Sequence, residues 1–252
     1  MTEITVFNYL LITWFLLAAV VFAALFFVAA PYGRHIRRGW GPTLTNRTGW
    51  LLMEAPAPLV FALLYFLGEH RASLTAIAFL LLWEAHYVHR AFIYPFSLAN
   101  RERKMPLTVV LFGFIFNLGN AYLNGRYLFT FVSYPNDWLG DFRFLSGAMV
   151  FIAGFVINRS ADEILHHLRK QNNAGYRIPF GGMYRWISCP NYFGEILTWT
   201  GWAIATWSLP GLAFALWTFA NLAPRARTHH RWYLEQFPDY PKERKALIPG
   251  LW

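Results

Sequence analysis

The chain predicts an all-α integral membrane protein: seven transmembrane helices in a single domain, residues 1–252, with the amino terminus outside and the carboxyl terminus cytoplasmic. Three observations predict this. The composition is 56% hydrophobic and 19% aromatic but only 14% charged, whereas an average soluble domain carries about 25% charged residues. Several uncharged runs are long enough to cross a bilayer core, which takes about 20 residues. The basic residues gather in alternate loops.

The first span is 8–30, within a stretch of 30 residues between Glu3 and Arg34 that holds no charge. It opens on Met-Thr-Glu rather than a basic region and shows no clear cleavage signal near Ala30-Pro31, so it reads as a retained helix, not a signal peptide. The second span, 48–68, is interrupted only by Glu54. The third, 72–99, carries Glu84, His86, Tyr87, His89 and Arg90. The fourth is 105–125 and the fifth the short 144–158. The uncharged stretch 196–224 contains Leu209-Pro210-Gly211, and Pro-Gly is a turn signal, so it divides into spans 192–208 and 211–224. Seven spans place 34–47, 100–104, 159–190 and 225–252 on one side with 18 Lys and Arg. The opposite loops hold three, Arg71, Arg126 and Arg143. That asymmetry orients the carboxyl terminus to the cytoplasm.

Net charge of +9 is that of basic cytoplasmic loops and an anionic ligand rather than of a nucleic-acid binder. One cysteine, Cys189, excludes an intramolecular disulfide framework and a Cys-based zinc cluster. No G-x-G-x-x-G, P-loop or H-E-x-x-H motif is present, and no metal site is expected. Seven spans leave no length for a Rossmann domain, so a nucleotide would bind among the helices and cytoplasmic loops.

Ionisable groups inside a span cost roughly 2.5–3.5 kcal/mol each, and so mark function by default. Glu54 precedes Pro56 and Pro58, which loosen the helix after it. It reads either as a hydrogen-bonding or proton-holding group in an apolar pocket, or as a partner for Arg90 or a histidine. Tyr87 reads either as a donor to a ligand oxygen or as a packed aromatic. Helical spacing puts Asn158, Asp162 and Arg169 on one face, Asn191, Glu195 and Trp199 on another, and Arg225, His229 and Tyr233 on a third. Such mixed donors and acceptors suit a large polar ligand. The alternative is a set of interfacial anchors and snorkelling cations.

Several stretches resemble one family: Glu54-Ala-Pro, His86-Tyr-Val-His-Arg90, Asn100-Arg101, Asp162-Glu-Ile-Leu, Tyr176-Arg-Ile-Pro179, Asn191-Tyr-Phe-Gly-Glu-Ile196 and the tail His229-His-Arg-Trp-Tyr-Leu234. The chain is similar to the steroid 5α-reductases (3-oxo-5α-steroid 4-dehydrogenases), most of all to the type 2 branch, over nearly its whole length. The resemblance implies a seven-helix fold that binds NADPH within the bundle and reduces the 4,5 double bond of 3-oxo-Δ4 steroids such as testosterone or progesterone. It implies that Glu54 and Tyr87 hold the steroid 3-carbonyl, with Trp50, Arg90 and Trp199 on the substrate side. It places cofactor contacts at Asn100, Arg101, Arg103, Asn158, Asp162, Arg169, Tyr176, Asn191, Glu195, Arg225, His229 and Tyr233. A monomer in the bilayer, without nucleic acid, is expected. As a bacterial homologue it would occupy the inner membrane; in a eukaryote, the endoplasmic reticulum. The competing readings are a membrane methyltransferase using S-adenosylmethionine, which would not need Glu54 with Tyr87, and a seven-helix receptor or transporter.

Overall fold

The computed structural model describes residues 1–28, 39–98, 103–170 and 176–252. The chain forms two compact units, Ala30–Leu145 and Met1–Ala29 with Ser146–Trp252.

In Ala30–Leu145, β1 (Thr43–Thr45) pairs antiparallel with β2 (Lys104–Pro106), Thr43 opposite Pro106 and Thr45 opposite Lys104. Thr45 then caps α2 (Asn46–Glu54), its hydroxyl accepting from the Thr48 amide. Pro56 and Pro58 have no N–H to donate back into α2, so that helix ends at Glu54, and α3 (Pro56–Leu67) restarts on proline. Ser73 caps α4 (Leu74–Val88), which runs into a π-helical turn, His89–Ile93, and the short α5 (Tyr94–Ser97). Such turns are frequent at functional sites. After β2 comes α6 (Leu107–Arg126), whose buried Asn117, Asn120 and Asn124 repeat at i, i+3 and i+7. At Gly113 of α6 an added Cβ would overlap the Met53 side chain, so this glycine brings α2 close. The core of the unit is aromatic. Phe61 stacks on Trp83 at 4.3 Å and meets Phe129 edge-on at 5.0 Å.

In the other unit, α1 (Glu3–Phe27) buries Phe7, Leu11, Trp14 and Ala18, one helical stripe, and exposes most of the rest of its apolar surface. That stripe and the half-buried Phe22 meet α9 (Leu209–Gln236): the Trp217 indole donates to the Trp14 carbonyl at 2.7 Å, and Phe22 stacks on Phe219. α7 (Phe142–Lys170) and α8 (Pro190–Thr206) touch backbone to backbone through Gly147 and Gly154 of one and Gly194 and Gly201 of the other. Small residues permit this approach where helices pack without water to drive them together. The tail closes on the loop before α8, with a parallel bridge between Ile187 and Lys245. Ser188 N donates to Lys245 O at 2.8 Å, and Lys245 N to Trp186 O at 2.9 Å.

Among the described residues, four helices are long and apolar enough to cross a membrane: Glu3–Phe27, Asn46–Leu67, Leu107–Phe131 and Phe142–Lys170. They overlap the spans expected at 8–30, 48–68 and 105–125 over most of their length and contain the one expected at 144–158. The expected spans 72–99, 192–208 and 211–224 fall in α4 to α5, α8 and α9, which are helical but not among those four. Three boundaries differ from expectation. The loop expected from residue 159 is helical to Lys170, because α7 continues past its apolar half with a polar face. The tail expected from 225 is helical to Gln236 for the same reason. The break expected at Pro210-Gly211 falls instead at Trp207, in the left-handed region with φ 44°, and at Ser208. Proline fits the first turn of a helix, so Pro210 opens α9 beneath the Ser208 cap.

Candidate active site

Among the described residues, most of the expected site residues fall into two clusters, one in each unit. In Ala30–Leu145, Glu54 ends α2 with 9% of its surface exposed, and Tyr87 lies in the last turn of α4 at 3%. Asn117 of α6 joins them. Its Nδ2 donates to Glu54 Oε2 at 3.2 Å and to Met53 O at 2.8 Å. Its Oδ1 accepts from the Tyr87 hydroxyl at 3.4 Å. Arg90, in the π-helical turn, brings Nε within 3.8 Å of Glu54 Oε1. Its guanidinium also lies over the rings of Trp50 at 4.5 Å and Tyr94 at 4.9 Å. Glu54 is thus the Arg90 partner that the charge pattern allowed, and the expected residues Glu54, Tyr87, Arg90 and Trp50 lie in this one unit. Among them Tyr87 offers a donor and Arg90 a cation to a polarised oxygen, and Glu54 accepts from its neighbours and holds Arg90 nearby. The Trp83 indole, donating to Ala57 O at 3.1 Å, packs beside Tyr87 at 4.9 Å and walls the cluster with apolar surface.

The second cluster is built by α7, α8 and α9. Asn158 donates to Asn191 O at 2.9 Å and to Glu195 Oε2 at 3.0 Å, which the glycine contact of α7 with α8 makes reachable. Asn191 donates to Asp162 Oδ1 at 3.1 Å, and the Trp199 indole to Glu195 Oε1 at 2.9 Å. Arg225 donates to Asn221 Oδ1 at 2.8 Å and to the Tyr192 hydroxyl at 2.9 Å. That hydroxyl is 3.1 Å from His229 Nε2. Two of the three expected helical faces, those of α7 and α8, interlock as one network. Tyr192 ties Arg225 to His229 on the third. Tyr233 stacks on Tyr240 at 5.1 Å, and Tyr176 meets Trp232 edge-on at 5.1 Å. Arg169 is half-buried, and beneath it Tyr184 gives its hydroxyl to Ala161 O at 3.4 Å. Burial, reinforced by the Asp162 charge, pushes the Tyr184 hydroxyl well above its ordinary range, so it remains a neutral donor. Arg103 is exposed beside β2. Asn100 and Arg101 lie outside the described residues.

Asn117, Tyr192 and Asn221 were not singled out in the sequence. Only Asn117 had a visible signal, three asparagines at i, i+3 and i+7 in an uncharged span.

The model of the 3-oxo-5-alpha-steroid 4-dehydrogenase family matches residues 103–252. The chain belongs to this family. Relatives of the 5α-reductase family align along most of its length. It is 43% identical to the steroid 5-alpha-reductase DET2 of Gossypium hirsutum, covering 98% of both chains. It is 41% identical to the 3-oxo-5-alpha-steroid 4-dehydrogenase 1 of Bos taurus, covering 93% of both. With the type 1 enzyme of Homo sapiens it shares 40% over 87% of this chain and 85% of that one. This 5α-reductase family membership makes the chain an oxidoreductase of that class and sets aside the methyltransferase and receptor readings.

Proposed function

We propose that the protein reduces the 4,5 double bond of 3-oxo-Δ4 steroids, such as testosterone or progesterone, with NADPH as reductant, and that it does so as a seven-span protein with its carboxyl terminus in the cytoplasm. The observation that carries this reading is the buried Glu54–Asn117–Tyr87 chain with Arg90 beside it, in a chain of this family.

Conjugate reduction places negative charge on the steroid 3-oxygen as C5 is reduced, and a pre-aligned donor at that oxygen lowers the barrier. Tyr87 is that donor: its hydroxyl turns from Asn117 to the 3-oxygen. Glu54 orients the group and, when protonated, donates as well. Apolar walls such as Trp83 keep water from the charge. The proton that completes the product at C4 comes from water.

NADPH supplies the hydride when bound. The donor set of α7 to α9 fits it chemically. Asp162 and Glu195 can accept from ribose hydroxyls, Asn158 and Asn191 can pair with amide groups, and Arg225 and Arg169 can meet phosphate oxygens. No Rossmann motif competes for this role, and Arg101 and Arg103 are the cations assigned to the 2′-phosphate. The test is turnover by the purified protein with testosterone and NADPH, following cofactor oxidation and isolating the steroid product. A 5α-dihydro steroid is the expected product. No reduction of any 3-oxo-Δ4 steroid, or equal rates with NADH, would overturn the reading.

A further inference from the structure

We infer that Asn117 is the positioning residue that presets Glu54 and Tyr87 as a pair, an inference that rests on the reading that these two take the 3-carbonyl.

Asn117 is 4% exposed in the middle of α6, between Phe116 and Leu118. A buried amide in apolar surroundings costs stability unless its hydrogen bonds are made, and an apolar side chain would pack there at no such cost. Among the described residues, its hydrogen bonds run to the candidate pair and to Met53, the residue beside Glu54. Met53 O can only accept, so the amide edge facing it must be NH2. That same NH2 reaches Glu54 Oε2, and one group therefore grips the backbone and the carboxylate of adjacent residues. It does so at the end of α2, where Pro56 and Pro58 supply no helical donors. Gly113, one turn earlier in α6, leaves the room that lets α2 come this close.

With NH2 committed to Met53 and Glu54, Oδ1 is left for Tyr87, and toward an amide oxygen the phenol can only donate. Asn117 thus fixes which edge of the pair accepts and which donates. At 3.4 Å the Tyr87 bond is near the limit of a hydrogen bond and is weak. A carbonyl oxygen that gains charge can therefore accept the phenol's hydrogen bond in place of Oδ1 at little loss, while the bond to Glu54 stays in place. Asn117 touches neither steroid nor cofactor in this role and acts through the two residues it holds.

The experiment compares Asn117→Leu, Asn117→Ser and Asn117→Asp with the full-length wild type, alongside Tyr87→Phe and Glu54→Leu. Readouts are kcat, KM, the pH profile of kcat and the rise in Tm on adding NADPH. Asn117→Leu should lower kcat about 10- to 100-fold, the equivalent of one hydrogen bond to a charged group, with the NADPH-induced rise unchanged. Asn117→Ser, with a hydroxyl that donates and accepts, should recover part of the loss. Asn117→Asp puts a second titrating group beside Glu54, so the pH profile of kcat should gain an ionisation. In a Tyr87→Phe background the effect of Asn117→Leu should shrink, because the two act as a unit. A kcat within threefold of wild type in Asn117→Leu, or an unaltered pH profile in Asn117→Asp, would overturn the inference. If Asn117→Leu does not fold, the isosteric Asn117→Asp decides alone. Wild-type turnover in Tyr87→Phe and Glu54→Leu would overturn the parent reading and this inference with it. Loss of turnover in those two but not in the Asn117 variants would overturn this inference only.

Discussion

Tyr87 and Glu54 are separable at the level of single atoms. Tyr87→Phe removes one oxygen and keeps the ring against Trp83, so the fold and NADPH binding should persist while turnover falls about 10²- to 10⁴-fold, the usual cost of losing a positioned acid. Steady-state rates within tenfold of wild type would contradict the role. Glu54→Gln keeps a group that can still accept from Asn117, whereas Glu54→Leu leaves both the Asn117 amide and the Arg90 guanidinium facing a hydrocarbon. Partial activity in Gln and none in Leu is the expected order; near-wild-type activity in both would make Glu54 a bystander. Cofactor choice is also decided by single residues. The 2′-phosphate distinguishes NADPH from NADH, and two charge-assisted hydrogen bonds of roughly 1.5–3 kcal/mol each give a preference of about 10²-fold or more. Arg103→Ala should therefore raise KM for NADPH far more than for NADH. Unchanged selectivity would move the phosphate contact to another loop.

The α7–α8 pair is the element on which the second cluster depends. A Cβ on Gly194 would stand 2.6 Å from Gly154 O and overlap the Asn158 amide nitrogen, and both are backbone atoms that cannot swing aside. Gly194→Ala should push the helices apart and stretch the Asn158 bonds to Asn191 and Glu195. Overpacking of this kind costs about 1–3 kcal/mol, a Tm drop of roughly 2–12 °C for a chain of this size. NADPH affinity should fall with it. Gly140→Ala, where nothing lies within 4 Å, is the control and should leave both unchanged. Equal Tm values in the two variants would show that the close approach contributes nothing.

At the scale of the whole molecule, the tail clamp and the membrane topology are testable. Ser188 Oγ lies 2.7 Å from His230 Nδ1 and 2.6 Å from the Tyr240 hydroxyl, linking α9, the loop before α8 and the tail. Burial, with Lys245 nearby, holds the half-buried His230 below its usual 6.5. The fold therefore favours neutral imidazole. Its contribution is complete above pH 6.5 and is lost as pH falls through the depressed value. Thermal unfolding should show Tm declining by a few degrees between neutral pH and about pH 5, with a smaller decline in His230→Gln. Parallel curves would remove His230 from the clamp. For topology, Cys189 is buried, so an introduced cysteine reports its own side of the membrane. Asp137→Cys should react with an impermeant maleimide in intact cells, and Leu251→Cys only after permeabilisation. The reverse pattern would invert the proposed orientation.

What the sequence determined by itself was local. Low charge and long apolar runs dictate helices in lipid, and helical spacing alone put Asn158 with Asp162, Asn191 with Glu195, and Arg225 with His229 on common faces. Two prolines after Glu54 marked where the helix loosens, though not that α2 ends there. These follow from neighbours within a turn or two. Tertiary structure decided the rest, because it turned on which surfaces could approach. Asn117 stands 63 positions from Glu54 and 30 from Tyr87, so no spacing connects them. The polar continuations of α7 to Lys170 and α9 to Gln236 read as loop because their charge hides the apolar side that packing exploits. The glycines of α7 and α8 are unremarkable in sequence and became decisive only when two backbones met. Periodicity shows which face a side chain occupies, and only the packed helices decide what that face touches.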